Sequence, residues 1–139
     1  MQKYIGDKLI DEEYLKDHPH HIFIFGDNLQ GVGQGGAAKL RYHPQSYGFI
    51  TKKYPSNQSN AFYDPNQYKE VFEKELSKLI SDIELNKNLI FLITPLGSGL
   101  ANKYKIWENV IRDGLRVLEK YDNVVFLYNK PWLNTIYSI

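Results

Sequence analysis

Two glycine-rich stretches carry the residue types best suited to chemistry in this sequence. The first reads Gly26-Asp27-Asn28-Leu29-Gln30-Gly31-Val32-Gly33-Gln34-Gly35-Gly36 and runs on into Ala37-Ala38-Lys39. The second is Thr94-Pro95-Leu96-Gly97-Ser98-Gly99-Leu100-Ala101-Asn102. Glycine permits backbone conformations closed to other residues and lets a ligand approach the main chain closely. Where such a loop opens a helix, its N–H groups lack intrahelical acceptors, and the positive end of the helix dipole adds to their attraction for phosphate. In the second loop Gly97, Ser98 and Gly99 can offer N–H groups to a further phosphate, with the Ser98 hydroxyl as one more donor. The expected chemistry is recognition of a phosphate-bearing nucleotide by backbone donors. One such loop alone can equally be a tight strand-to-helix connection, whereas two together favour a diphosphate gripped from both sides.

Commoner phosphate and catalytic motifs do not fit. No Gly-Lys-Ser or Gly-Lys-Thr follows either loop, so neither is a P-loop. Gly31, Gly33 and Gly36 satisfy G-x-G-x-x-G, but the acid expected about twenty residues on, at the end of the next strand, is missing, which disfavours an ordinary dinucleotide fold. The chain has no cysteine, which removes disulfides, thiolate catalysis and cysteine-based zinc sites. His18, His20 and His21 cluster ahead of the first apolar run without an acid-and-histidine set of recognised ligand spacing, so neither a metal nor a cofactor is called for. The net charge of +1 argues against a general nucleic-acid binder, whose affinity rests on a strong basic field. It leaves room for one anionic small molecule. Arg41 and His43, just past the first loop, can reach an anionic group. Lys39 can neutralise phosphate, although a single helical lysine is more often simply solvated.

The elements that must position these loops are legible as apolar patterns. Ile22-Phe23-Ile24-Phe25, Leu89-Ile90-Phe91-Leu92-Ile93 and Val124-Val125-Phe126-Leu127-Tyr128 are continuously apolar, as strands covered on both faces require. Thr94-Pro95 stops the second of these, and the third closes near Pro131. A weaker run from Tyr47 to Thr51 suits a strand nearer an edge. From about Asn66 to Leu85 apolar residues recur at three- and four-residue steps behind an Asp64-Pro65 start, which predicts a long helix. A second helix is expected from about Lys105 to Lys120, with Gly114 marking close packing, and a shorter one from about Gly36 to Tyr42. The alternation predicts one α/β domain over residues 1–139, with a mostly parallel sheet and both loops leaving one edge of it. The polar stretch from Lys52 to Phe62 is either a plain surface loop or a lid whose Tyr54, Phe62 or Tyr63 stacks on a base. Tyr104 and Trp107 can also shape the site, Trp107 fitting the helix core better. No run approaches the roughly 20 apolar residues of a membrane span and no signal-peptide pattern opens the chain, so no membrane contact and a cytoplasmic location are expected.

The stretch Phe25-Gly26-Asp27-Asn28-Leu29, continued by Gly31-Val32-Gly33-Gln34-Gly35-Gly36-Ala37-Ala38, resembles the asparagine- and glycine-rich first loop of macro domains. It is more similar still to a divergent macro-like family of phage and bacterial proteins with an F-G-x-N-L, G-A-A-K and later G-x-G-L pattern. Gly35-Gly36-Ala37-Ala38-Lys39 and Gly97-Ser98-Gly99-Leu100 stand where the last two motifs fall. The similarity runs from about Ile22 to Val110, with its specificity in the two loops. It implies a three-layer α/β/α sandwich with a mostly parallel mixed sheet that binds ADP-ribose, in some members with hydrolysis of ADP-ribosyl bonds. By position, Asn28 would contact the distal ribose, Gly33, Gln34, Gly35, Gly36 and Ala37 would wrap the diphosphate, and Gly97 to Leu100 would close over its other side. As a metal-independent hydrolase the protein would use Asp27 and Asn28 at the reacting ribose, Asp27 positioning and partly deprotonating a water. Asp27 can instead bind ribose hydroxyls or cap its own loop. The implied partner is ADP-ribose, a related nucleotide or an ADP-ribosylated macromolecule. Gly26-Asp27-Asn28 replaces the usual N-A-A-N segment, and no acid matches the adenine-contacting aspartate of macro domains, so adenine specificity is not implied. A nucleotide-signal sensor, or an interaction domain without the pocket, is the alternative.

Overall fold

The structure, a computed structural model, describes residues 3–6 and 8–129. Its centre is a sheet of four strands, β1 (His21–Asn28), β2 (Ser46–Lys52), β3 (Ile90–Ile93) and β4 (Val124–Phe126), in the order β2-β1-β3-β4. Every pairing among these strands is parallel, so the antiparallel member of the expected mixed sheet is not among the described residues. The expected stop at Pro131 also lies outside them.

The continuous apolar runs have the reason inferred for them. Alternate residues of each strand face opposite sides, and helices cover both. Ile24, Phe91, Ile93, Val124 and Phe126 join one core with α2 (Pro65–Leu85) and the last helical segment. Phe23, Phe25, Leu92 and Val125 join a second core with Leu15 of α1 (Glu12–Asp17) and with Ala38 and Leu40. Each large apolar side chain so buried is worth roughly 1.5–3 kcal/mol, which makes the two cores the main hold on the sheet. The result is the three-layer α/β/α arrangement.

The long helix α2 begins with a capping box. The Asp64 carboxylate accepts the Gln67 N–H at 2.8 Å, and the Gln67 side chain accepts the Asp64 N–H at 3.2 Å. Its buried stripe, Tyr68, Phe72, Glu75, Leu79 and Ile83, includes one acid. Glu75 accepts the Ile50 N–H at 2.7 Å, while the Tyr68 hydroxyl donates to the Ile50 carbonyl. Burial pushes the Tyr68 phenol far above its ordinary pKa, so it stays a neutral donor. Two side chains of α2 thus satisfy the open edge of β2, which is how a sheet avoids pairing with a foreign strand. At the opposite edge Tyr4 bridges Phe126, and the Phe126 N–H donates to the Lys3 carbonyl at 2.8 Å.

The two shorter helices differ from a regular α pattern. Residues Gly36–Leu40 form a 3₁₀ turn of five residues, shorter than the helix expected to Tyr42. The last segment is a π turn (Trp107–Ile111), a short α piece (Arg112–Gly114) and a 3₁₀ turn (Leu115–Lys120) in succession. Lys105, expected to open it, has φ of 64°, which a right-handed helix excludes. Gly114 marks the close approach inferred from sequence, since a Cβ there would collide with the Phe72 ring.

Candidate functional site

The strand order places the site. From β1 the chain moves to one side to form β2, and from β3 it moves to the other side to form β4. The carboxyl ends of β1 and β3 are therefore the point at which the order reverses, where open α/β sheets hold their ligands. Both glycine loops leave the sheet there. Between them lies a cleft of about 490 Å³, within the range of small-molecule sites. Gly26, Asp27, Asn28, Gly33, Gly35, Gly36 and Ala37 line it from the first loop, and Thr94, Gly97, Ser98, Gly99 and Leu100 from the second.

The first loop begins later than expected. Gly26, Asp27 and Asn28 belong to β1, paired with β2 through Lys52, and a bulge between Asp27 and Asn28 turns the strand end. Such bulges re-aim side chains at strand ends. Asn28, 7% exposed, builds the turn that follows. Its Oδ1 accepts the Gln30 N–H at 3.0 Å, and its Nδ2 donates to the Val32 carbonyl at 2.7 Å. Beyond that turn, among the described residues, the N–H groups of residues 32–37 have no acceptor. Gly33 (φ 101°) and Gly36 (φ 57°) need glycine for their backbone conformation. Gly35 has an ordinary φ of −77°, and a Cβ there would meet nothing within 4 Å. Six consecutive N–H groups on a concave, glycine-lined strip are suited to the oxygens of a phosphate. The helix dipole adds little here, because the 3₁₀ turn that follows is only five residues long.

Asp27 is not a free carboxylate. The Arg41 guanidinium donates to its Oδ1 at 2.6 Å, and both side chains are largely buried, Arg41 6% and Asp27 14% exposed. The same Oδ1 accepts the Asn28 N–H at 2.7 Å, and the second oxygen lies over the bare Cα of Gly48 on β2. Arg41 also donates to the carbonyls of Gly33 at 2.7 Å and Val32 at 3.1 Å, and it stacks over Phe25. It thereby clamps the loop to the strand end and neutralises the one acid that lines the cleft among the described residues.

The second loop is more self-contained. The Ser98 N–H and hydroxyl both donate to the Pro95 carbonyl, at 3.1 Å and 2.7 Å, so the donors expected for a phosphate are spent inside the turn. Thr94 is likewise committed, its hydroxyl donating to the Ile24 carbonyl at 2.8 Å. Gly97 has φ of 75°, and a Cβ there would press on Ile111 Cδ1 at 2.6 Å. Its glycine serves packing as well as conformation. Among the described residues the N–H groups of Gly97, Gly99, Leu100 and Ala101 have no acceptor, and Gly99 is open to solvent.

Three expected residues fall outside the cleft. Gly31 donates its N–H to the Asn28 carbonyl at 3.1 Å and serves the turn. Gln34 is exposed, and Lys39 lines a neighbouring hollow with Lys8 and Phe23. Thr51, expected only as part of an edge strand, lines the cleft together with Lys52 and Pro55 of the stretch read as a surface loop or a lid, because β2 ends beside β1. Of the candidate stacking residues, Phe62 and Tyr63 are buried and Tyr54 is exposed. His18 and His21 contact Tyr14 at the amino end of β1, away from the cleft, and His43 accepts the Gln45 N–H at 3.1 Å. No group of three metal-ligating side chains occurs among the described residues, and none of their helices is long and apolar enough to cross a membrane.

The chain belongs to a family of unknown function (DUF7831), which it matches over residues 5–105, a span that holds both loops and the first three strands. No curated protein and no solved structure matches it.

Proposed function

We propose that this protein is a cytoplasmic nucleotide-binding domain that holds ADP-ribose, or a related diphosphate-containing nucleotide, through main-chain N–H groups of two loops. The observation that carries the reading is their convergence. Val32, Gly33, Gly35, Gly36 and Ala37 of the first loop and Gly99, Leu100 and Ala101 of the second line one cleft at the point where the strand order reverses, and among the described residues their N–H groups have no acceptor. A diphosphate has oxygens enough for donors on both sides, and a cleft of about 490 Å³ leaves space beside it for a ribose or a base.

The state of Asp27 favours binding over hydrolysis. A general base must reach a water near the anomeric carbon, and this carboxylate already holds Arg41 and its own backbone. The domain then acts by sequestering or sensing its nucleotide, free or attached to a macromolecule. Calorimetric titration with ADP-ribose tests the reading. Micromolar binding is expected for the native protein, and none for Gly35→Glu, whose side chain fits the fold and fills the cleft. Native-strength binding by that variant would refute the assignment. Incubation with an ADP-ribosylated protein at high enzyme concentration is expected to release no ADP-ribose, and release that depends on Asp27 would restore the hydrolase.

A further inference from the structure

Among the described residues two cations line the cleft, Arg41 and Lys52, and Arg41 is already engaged. Arg41 is taken up by Asp27 and two loop carbonyls, so that pair contributes no net charge. Lys52 ends β2 in register with Asn28 of β1. Its ammonium group lies 4.8 Å from the centroid of the Phe62 ring. The same ring carries a second ammonium, that of Lys103, at 6.0 Å, reaching in from the turn behind the second glycine loop. Phe62 is buried and meets Tyr104 edge-on at 6.5 Å, so it is a fixed platform.

Among the described residues neither lysine has an acid within ion-pair distance. Sharing one ring, the two ammonium groups are at most about 11 Å apart. At that upper bound, beyond the Debye length of about 8 Å at physiological salt, their mutual repulsion is largely screened, so both can stay charged on one ring. An anionic group that both flexible side chains can reach gains charge-assisted hydrogen bonds from each, Lys52 from the cleft lining and Lys103 from beside it. The rest of the site supplies only neutral donors, which position a phosphate without balancing its charge.

We propose that Lys52 and Lys103, brought together on the Phe62 ring by two different loops, form a cationic lip that binds the phosphate of the ligand. The inference rests on the nucleotide reading of the cleft and assigns the counter-charge that reading lacks. It also gives Phe62 a role other than stacking on a base.

The test is titration of the full chain with ADP-ribose at low and at moderate salt, for the native protein, Lys52→Gln, Lys103→Gln and the double variant. Each single change is expected to weaken binding by about fivefold. The double variant is expected to lose more than about tenfold and most of the salt dependence, with an unchanged melting temperature. A native-like affinity and salt dependence in the double variant would overturn the lip and leave the cleft assignment standing. Absence of binding by the native protein, to ADP-ribose and to inorganic pyrophosphate alike, would overturn both.

Discussion

The two glycine loops read alike in sequence and are built for different ends. In the first, three of the glycines, Gly31, Gly35 and Gly36, have nothing within 4 Å of where a Cβ would stand, and the N–H groups of residues 32–37 are unpartnered. In the second, Gly97 is wedged against Ile111 and Ile106, and Ser98 spends both of its donors on Pro95. One loop has small residues so that something can come in. The other divides the two uses, Gly97 letting its own helix come close while Gly99 has nothing within 4 Å and stays open. A count of glycines cannot separate these cases, because the absence of a side chain serves ligand approach and core packing equally.

The contrast breaks most sharply at paired substitutions. Gly97→Val is expected to cost roughly 3–5 kcal/mol, combining a φ of 75° with overpacking against Ile111. Gly35→Val is expected to change stability by less than about 0.5 kcal/mol, since its backbone is ordinary and its surroundings empty. Chemical denaturation of both variants checks the pair, and equal losses would erase the distinction.

Next in size is Arg41→Ala. Removing the guanidinium strands a largely buried carboxylate on Asp27, frees the Gly33 carbonyl and leaves the Val32 carbonyl with Asn28 alone. About 3 kcal/mol of stability should go with it, the usual consequence of breaking a buried pair from one side. Hydrogen exchange at Gly31 and Ala38, whose bonded N–H groups flank the unpartnered strip, should rise beyond the global change. A variant as stable as the native protein would mean that the clamp is not needed.

Smaller again is Ser98→Ala. Its hydroxyl bonds within the turn, so the expected loss is about 1 kcal/mol of stability, with a change of less than about twofold in nucleotide affinity. A large loss of affinity at unchanged stability would return Ser98 to the ligand and make the two loops equivalent.

The smallest effect lies at the amino end of β1, far from the cleft. Burial, aided by the charges of His18, Lys8 and His20, holds the His21 pKa below its ordinary 6.5. The unfolded chain therefore takes up a proton before the folded one does. The stability contributed by neutral His21 is present above pH 6.5 and is lost as the pH falls through the folded value. Denaturation midpoints measured between about pH 7.5 and about pH 5 should fall, and His21→Gln should flatten part of that slope. Nucleotide affinity should not respond to that substitution.

Much of the frame was legible because burial on both faces writes itself as uninterrupted apolar residues. Ile22-Phe23-Ile24-Phe25 and Leu89-Ile90-Phe91-Leu92-Ile93 need no long-range information to be read as strands. The polar end of β1 was not legible in the same way. Gly26, Asp27 and Asn28 look like loop until β2 is placed alongside, since pairing with Phe49, Ile50 and Lys52 keeps them extended. The irregular last helix escaped for a related reason. Its residues carry helical periodicity, but Gly114 must press on Phe72 and Gly97 on Ile111, and tertiary contact overrides regular geometry. At the site, the glycines were readable and the charges were not. Arg41 stands fourteen residues from Asp27, and Lys52 and Lys103 meet only through Phe62. Such partnerships are made by the fold and leave no local spacing.

The central claim is that main-chain donors from both loops close on one ligand. Amide-resolved NMR of the ¹⁵N-labelled chain during titration with ADP-ribose addresses it most directly. The account predicts that the N–H signals of Gly33, Gly35 and Gly36 shift together with those of Gly99 and Leu100, along a single saturation curve. Shifts confined to one loop, or to residues remote from both, would contradict it.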